Sequence, residues 1–140
     1  MSNRHTITLT ALPEHIDVMG HVNNAVWVQW MEALATAHWE ADAAPEHVAS
    51  YAWVVTRHEI DYRGNITVGE SVEAETFIPD PPSGAKFDRR IDFRRIGEDG
   101  QAGKAGKVIV SARSTWAMID LKTGRLMRVP PEVAAPFMPD

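Results

Sequence analysis

The sequence predicts an α+β fold: one strand, one long amphipathic helix, and then a run of antiparallel strands. Residues 4–11 alternate between apolar and polar side chains, which is typical of a strand with one buried face. From Asn23 the apolar residues recur at spacings of three and four, which indicates a helix. The later segments alternate again and are separated by turns rich in glycine and proline, so we expect a sheet built around one helix.

The predicted helix spans about five turns and carries a wide apolar stripe rich in aromatic residues. The stripe consists of Val26, Trp27, Trp30, Met31, Leu34 and Ala37. Asn23 or Asn24 can cap its start, because either side chain can accept a hydrogen bond from an unpaired amide of the first turn. Pro45 lies just beyond the expected end. Residues 14–22 have no stable period and are predicted to form a loop.

The remaining strands are predicted from alternation and from the turns between them. Their ranges are 53–62, 70–78, 86–96, 107–120 and a short last strand at 126–129. Residues 97–106 are predicted to form a flexible hairpin loop, and the tail a short helical turn or a loose segment. One helix covers only one face of such a sheet and leaves two edges, which invite pairing. We therefore expect a homodimer.

Length and composition restrict the class of protein. The 140 residues fit one domain, residues 1–140, and 44% hydrophobic with 24% charged residues is ordinary for a soluble globular chain. The chain has no cysteine, which excludes disulfides, thiolate catalysis and cysteine-based metal sites. No segment resembles a signal peptide or a membrane span, so a cytoplasmic location is expected. The net charge of −5 argues against a nucleic-acid partner.

Residues 15–24, immediately before the helix, carry the most chemical information in the chain. A helix N-terminus offers amides without intrahelical acceptors and the positive end of the helix dipole. Gly20 lets the chain turn tightly and lets a ligand approach the backbone. Asp17 lies a few residues upstream. A carboxylate beside a site that stabilises an oxyanion is what the transfer of an acyl group to water requires.

Six residues of this segment form a recognisable motif: Asp17, Gly20, His21, Val22, Asn23 and Asn24. The motif resembles the signature of the 4-hydroxybenzoyl-CoA thioesterase-like family of hotdog-fold proteins, and within it the long-chain acyl-CoA thioesterase III type. Residues 60–70 and 117–133 also resemble that family, so the similarity covers nearly the whole chain. It implies a long helix wrapped by an antiparallel sheet of five to six strands, a homodimer or homotetramer with active sites between subunits, and hydrolysis of acyl-CoA without metal or organic cofactor.

The resemblance also implies a role for each residue of the motif. Asp17 corresponds to the catalytic carboxylate, which acts as a general base or as a nucleophile. The backbone amide of Asn24 corresponds to the oxyanion donor at the start of the helix. Gly20 and His21 correspond to the bend that shapes the pocket, and Asn23 to a residue that positions this turn.

Further residues are candidates for contact with the substrate. Trp27, one turn into the helix, is a candidate for the acyl pocket, and Arg63 for contact with CoA. A basic strand face offers further contacts to CoA phosphates, although a solvated surface is the favoured interpretation for it: Arg89, Arg90, Arg94 and Arg95. The sequence departs from many relatives, which have Tyr at position 27 and an Ala-Arg pair near Leu34 and Ala35. The acyl group is therefore left open.

Several alternatives are weighed against this hypothesis. Glu32 is a second catalytic candidate, because some hotdog thioesterases use a helix carboxylate, although a solvated helix position is favoured. His15, Asp17 and His21 do not share a helical face, and no cysteine joins them, so no metal site is predicted. A non-catalytic acyl-CoA-binding module is an alternative function. A hotdog hydratase or dehydratase is another, although its usual motif of a histidine with a carboxylate is not found.

Overall fold

One long helix lies against one face of a curved antiparallel sheet in the computed structural model, which describes residues 3–97 and 106–138. The strands are β1 (Arg4–Thr10), β2 (Tyr51–Tyr62), β3 (Ser71–Phe77), β4 (Lys86–Arg95), β5 (Val108–Asp120) and β6 (Arg125–Leu126). The helices are α1 (Asn24–Asp42), α2 (Pro45–Ser50) and α3 (Pro131–Ala134), with 3₁₀ turns at Pro13–His15 and Ala135–Phe137.

The strand order places the two strands that flank α1 in the sequence at opposite edges of the sheet. The order is β1-β3-β4-β5-β2, all pairs are antiparallel, and β6 adds a short pairing to β5. The chain therefore crosses the sheet through α1, whose apolar side covers the sheet between the two edges. No helix among the described residues has the length and apolar character needed to cross a membrane.

The interior is divided into two apolar clusters along α1. The larger cluster surrounds the N-terminal half of the helix and contains Trp27, Trp30 and Phe93. The smaller one lies at the other end, where the C-terminal segment packs through Val133 and Phe137. The two clusters give the two ends of the helix different surroundings.

Most predicted elements are confirmed, and the differences are local. The long helix, the loop before it and the strands β1 to β5 lie within two residues of their predicted bounds. The last strand is shorter than predicted, and the tail forms α3 and a 3₁₀ turn. Helix α2 was not predicted, because Pro45 was interpreted only as the end of α1, whereas proline is also favoured in the first turn of a new helix. Most of the predicted hairpin loop, residues 98–105, lies outside the described residues.

The assignment of Arg89 to a solvated strand face is wrong. Phe87, Arg89, Ile91 and Phe93 alternate along β4 and are all buried. Only 8% of the surface of Arg89 is exposed. The period of two that buries its apolar neighbours carries this side chain into the interior with them, beneath the C-terminal half of α1.

Candidate active site

The loop between β1 and α1 folds back on itself and holds the Asp17 carboxylate at its neck. Ile16 pairs with Val22 as an isolated antiparallel bridge, and the Asp17 N–H donates to the carbonyl of His21 at 2.8 Å. The Asp17 Oδ1 accepts hydrogen bonds from the backbone N–H groups of Met19 at 2.9 Å and His21 at 3.3 Å. Its Oδ2 makes no hydrogen bond with any described residue, so one carboxylate oxygen is fixed and the other is available.

The turn at the tip of this loop depends on a glycine. Gly20 has φ of +81°, a backbone conformation that residues with a side chain rarely adopt, and its N–H donates to the Asp17 carbonyl at 3.0 Å. Val18 and Met19 at the tip are exposed, with Val18 fully so. The loop therefore exposes two apolar side chains at its tip, next to the hydrogen-bonded Asp17 carboxylate.

The start of α1 follows directly after the loop. The Asn23 Oδ1 accepts a hydrogen bond from the Ala25 N–H at 2.9 Å, so Asn23 is the N-cap. The N–H groups of Val26 and Trp27 donate to the Asn23 carbonyl. Asn24 occupies the first helical position, and its N–H is the first-turn amide that remains without an acceptor among the described residues. This is the amide that the sequence analysis predicts as the oxyanion donor, a role that stays a prediction.

A segment between β2 and β3 supports the loop from below. The Asn65 Nδ2 donates to the Val22 carbonyl at 3.1 Å, and its Oδ1 accepts from the Ile66 N–H at 2.8 Å. The Val22 N–H donates in turn to the Ile66 carbonyl at 3.2 Å. Asn65 is a positioning residue that the sequence analysis missed. Its only signal was its place in a turn, because its partner lies 43 residues away.

Charged groups surround the same segment. Hydrogen bonds from the backbone N–H and the hydroxyl of Thr67 hold the pKa of Glu70 below its usual range, and His21 and Arg95 favour its charged form further. The Arg95 Nη2 donates to the Asn65 carbonyl at 2.6 Å. The positively charged side chain of Arg95 is thus hydrogen-bonded to the segment that supports the loop.

The other predicted site residues lie in different surroundings. His21 is exposed, and its backbone, rather than its ring, fixes the loop. Trp27 is fully buried in the core, where it packs edge-to-face against Trp30 and Phe93 at 5.2 and 5.0 Å between ring centroids. Arg63 is exposed and donates to the Ser111 hydroxyl at 3.2 Å. The contact of Trp27 and Arg63 with substrate stays a prediction.

Glu32 lies on the exposed side of α1 and makes no hydrogen bond or ion pair with Asp17. It lies near His58 of β2, whose Nδ1 is 2.7 Å from the Ser114 hydroxyl. Burial lowers the pKa of His58, and the charge of Glu32 opposes that shift. In the described part of the chain, no three histidine, aspartate or glutamate side chains are grouped closely enough to hold a metal ion.

Comparison with known proteins identifies the family. Residues 11–137 match the model of the thioesterase-like superfamily, and the chain belongs to that family. In sequence it is 31% identical over 88 residues to a chloroplastic acyl-[acyl-carrier-protein] hydrolase of Cuphea viscosissima. That match covers 62% of this chain but 19% of the plant protein, so the chain spans about a fifth of the length of this curated relative.

Solved structures of the same fold extend the comparison. A hypothetical protein from Staphylococcus aureus in complex with CoA superimposes with a TM-score of 0.80 at 13% identity, covering 100% of this chain and 89% of that one. An acyl-ACP thioesterase from Bacteroides thetaiotaomicron gives a TM-score of 0.75 at 24% identity, covering 98% of this chain and 54% of that one. The predicted α+β hotdog fold is confirmed.

Proposed function

We propose that this protein hydrolyses an acyl-CoA thioester to a free carboxylic acid and CoA. The observation that carries the proposal is the Asp17 carboxylate, fixed through Oδ1 by two backbone amides in the loop that leads into the N-terminus of α1. Membership in the thioesterase-like superfamily supports a thioester as the bond that is cleaved. The related fold solved with CoA supports CoA as the thiol component.

The proposed reaction uses two groups of this chain. The N–H of Asn24, at the positive end of the helix dipole, donates a hydrogen bond to the thioester carbonyl oxygen and stabilises the negative charge that develops there. The free oxygen of Asp17 removes a proton from a water molecule, whose oxygen attacks the carbonyl carbon. Collapse of the intermediate breaks the C–S bond, and the thiolate takes up a proton. In the covalent variant of this route, Asp17 attacks directly and water hydrolyses the resulting anhydride.

Two exposed arginines near the loop are proposed to contact the phosphates of CoA. Arg95 donates a hydrogen bond to the Asn65 carbonyl, and Arg63 lies two residues before Asn65 in the sequence. Both side chains also lie near carboxylates, at 3.5 Å from Glu70 and 3.8 Å from Asp61 respectively. Exposed ion pairs of this kind are weak, so a phosphate can replace the carboxylate at little cost.

The protein is further proposed to be a homodimer that pairs through the edge strand β2. This strand is 12 residues long and leaves Val54 and Tyr62 exposed at the edge. Long exposed edges are normally paired or covered. Sedimentation at micromolar concentration should give twice the monomer mass of 15.6 kDa. A monomer mass would remove this part of the proposal.

The test of the reaction is the variant Asp17→Asn. Asparagine keeps an oxygen to accept the two amides, so the loop geometry is retained, but it cannot take up a proton or form an anhydride. We expect kcat for acyl-CoA hydrolysis to fall by roughly 10²–10⁴-fold, the usual contribution of a general base. The assay is thiol release from short, long and aromatic acyl-CoAs, with unchanged thermal unfolding as a check of the fold.

The matched control is Asp120→Asn, because the Asp120 Oδ1 likewise accepts a hydrogen bond from the backbone N–H two residues further on, that of Lys122 at 2.9 Å, and lies outside the Asp17 loop. It should leave thiol release near the wild-type rate. If folded Asp17→Asn turned over as fast as wild type, Asp17 would not carry the reaction. If wild type bound acyl-CoA without any thiol release, the chain would be a binding module.

A further inference from the structure

A second cavity lies at the other end of α1 from the proposed active site. Its volume is about 330 Å³, and it is lined by residues from the C-terminal half of α1, α2, β2, β4 and β5. Along the helix it begins at Ala35, roughly 16 Å from Asn24 at 1.5 Å per residue. Six of its lining residues are aromatic: Trp39, Tyr51, Trp53, Phe87, Trp116 and Phe137. We call it the α1–α2 cavity.

A buried cation contributes to the wall of this cavity. Arg89 is 8% exposed, and its Nη1 donates to the Thr76 hydroxyl at 3.0 Å and lies 2.7 Å from the His38 Nδ1. His38 is fully buried, and burial, with the charge of Arg89, lowers its pKa to about 4, so it is neutral at pH 7 and accepts from the guanidinium. Burial also lowers the pKa of Arg89, to about 10, so Arg89 keeps its charge.

Within the described ranges, no carboxylate forms an ion pair with Arg89. Asp42 lies on the far side of His38, 3.3 Å from its Nε2. Glu40 also lines the cavity, but it is exposed to solvent. A buried charge is costly unless it is paired, so the positive charge of Arg89 lacks the counter-charge that such groups normally have.

Two residues of the cavity wall, Trp53 and Trp116, have buried indole N–H groups without a hydrogen-bond partner among the described residues. Buried N–H groups normally find a partner, and an unpaired one costs about 1–3 kcal/mol. Arg89 is a buried charge in a largely apolar wall, and both of its hydrogen bonds go to neutral partners.

We propose that the α1–α2 cavity binds an organic carboxylate whose apolar or aromatic body packs between the rings, while Arg89 holds the carboxylate. The ligand supplies the missing counter-charge. A guanidinium suits this role because it donates in a planar fork that matches a carboxylate.

Two sources supply this chemistry. One is a free carboxylic acid, the class of product that thioester hydrolysis releases. The other is an acyl-CoA whose acyl chain carries a carboxylate at the end opposite the thioester, with the thioester itself bound outside this cavity. Both sources present a carboxylate to Arg89. Binding of either ligand does not depend on Asp17, because it is measured without turnover.

The test is isothermal titration calorimetry at pH 7 with matched acids and alcohols: octanoate against octanol, and 4-phenylbutyrate against 4-phenylbutanol. Wild type should bind the acids, and the alcohols should bind roughly tenfold to a hundredfold more weakly, because they lack the charge that Arg89 requires. Arg89→Gln should weaken acid binding by a similar factor and leave alcohol binding unchanged. Equal affinity for acid and alcohol, or no binding of either acid, would overturn the proposal.

Two controls separate binding from stability. Arg90→Gln removes the exposed neighbour on β4 and should leave acid binding intact. Asp17→Asn should also bind the acids like wild type, which distinguishes this site from the proposed active site. If Arg89→Gln does not fold, Val48→Phe serves instead, because it adds volume to the cavity wall and should abolish acid binding. Acid binding retained in a folded Val48→Phe variant would place the ligand elsewhere.

The two sources are distinguished by kinetics with octanoyl-CoA and suberoyl-CoA, which have the same chain length and differ in the distal carboxylate. If the acyl group supplies the carboxylate, Arg89→Gln should raise KM for suberoyl-CoA about tenfold or more and leave KM for octanoyl-CoA unchanged. If the free acid is the ligand, both KM values should be unchanged while octanoate binding is lost.

Discussion

The polar groups at the two ends of α1 differ in their exposure to solvent and in the partners that hold them. At the N-terminal end, Asp17 and the Asn24 N–H lie in a short loop and first turn where backbone hydrogen bonds fix the geometry and solvent is close. At the C-terminal end, Arg89 and His38 are buried among aromatic rings and depend on each other. The first arrangement leaves two reactive groups free, whereas the second leaves a charge without a counter-charge.

This difference indicates what each end is suited for. A donor and a carboxylate that need no further partner can act on a reacting bond without rearranging, which favours catalysis at the N-terminal end. A buried cation without a counter-charge gains most when an anionic ligand arrives, which favours binding at the C-terminal end. The following variants test this contrast, from the largest expected effect to the smallest.

Among these further variants, the largest effect is expected for Asn24→Pro at the N-terminal end. Proline removes the one N–H proposed as oxyanion donor, yet it is favoured at the first helical position. Asn23 has φ of −65° and ψ of 145°, the region that a residue before proline prefers, so the helix start should be kept. We expect kcat to fall by about 10²–10³-fold, as when a single oxyanion donor is removed elsewhere.

Thiol release by Asn24→Pro is compared with that by Asn24→Ala, which keeps the N–H and should retain near-wild-type kcat. Far-ultraviolet circular dichroism and thermal unfolding establish that both variants fold. A folded Asn24→Pro enzyme with the wild-type rate would show that this amide does not stabilise the oxyanion, and the N-terminal end would lose half of its proposed machinery.

The second prediction concerns pH and the C-terminal end. Burial lowers the pKa of His38 to about 4, with Arg89 and His5 acting in the same direction and Asp42 opposing them. An unfolded chain takes up this proton near pH 6.5, so between pH 6.5 and 4 the unfolded state binds more protons. The free energy of unfolding should therefore fall as pH falls through this range, by up to about 3 kcal/mol, and this contribution should level off below pH 4.

Urea unfolding at several pH values measures this slope in wild type and in His38→Asn. The variant should be less stable at pH 7, because Arg89 and Asn3 lose a hydrogen-bonding partner. Its stability should nevertheless depend less on pH between 6.5 and 4. Parallel curves for the two proteins would mean that His38 does not control acid sensitivity.

The same contrast explains how much the sequence could predict. The helix, most strand bounds and the Asp17 loop follow from patterns within a few residues, so a local interpretation suffices. Treated as one group, the four arginines of β4 predict a solvated face. Arg89, however, is separated from Phe87, Ile91 and Phe93 by even numbers of residues, so its side chain lies on their face of the strand. The two-residue alternation indicates which face is buried, but it does not show why a positively charged side chain is tolerated there.

Residues that act across long sequence distances could not be predicted. Asn65 supports the loop through a carbonyl 43 residues away, and Arg89 meets His38 across 51 residues. The α1–α2 cavity draws on two helices and three strands, whose packing no single window of sequence contains. The N-terminal end is local and was largely predicted, whereas the C-terminal end is assembled by the fold and was not.

The smallest effect is expected from two glycines with the same backbone conformation at opposite ends. Gly20, in the Asp17 loop, has φ of +81°, and Gly124, in the turn between β5 and β6, has φ of +72°. A Cβ at either position meets no atom within 4 Å, so alanine is penalised by its backbone conformation alone. Each Gly→Ala variant should lose about 1–2 kcal/mol of unfolding free energy.

The two variants should differ in activity although they match in stability. Gly20 donates to the Asp17 carbonyl, so a change of its backbone conformation moves the loop that holds the carboxylate, and kcat/KM should fall about tenfold or more. Gly124 lies outside the Asp17 loop, in the same turn as the cavity residue Leu121, so its variant should keep the wild-type kcat/KM for octanoyl-CoA. Equal losses of activity in both would mean that the rate follows global stability, and the separation of the two ends would then fail.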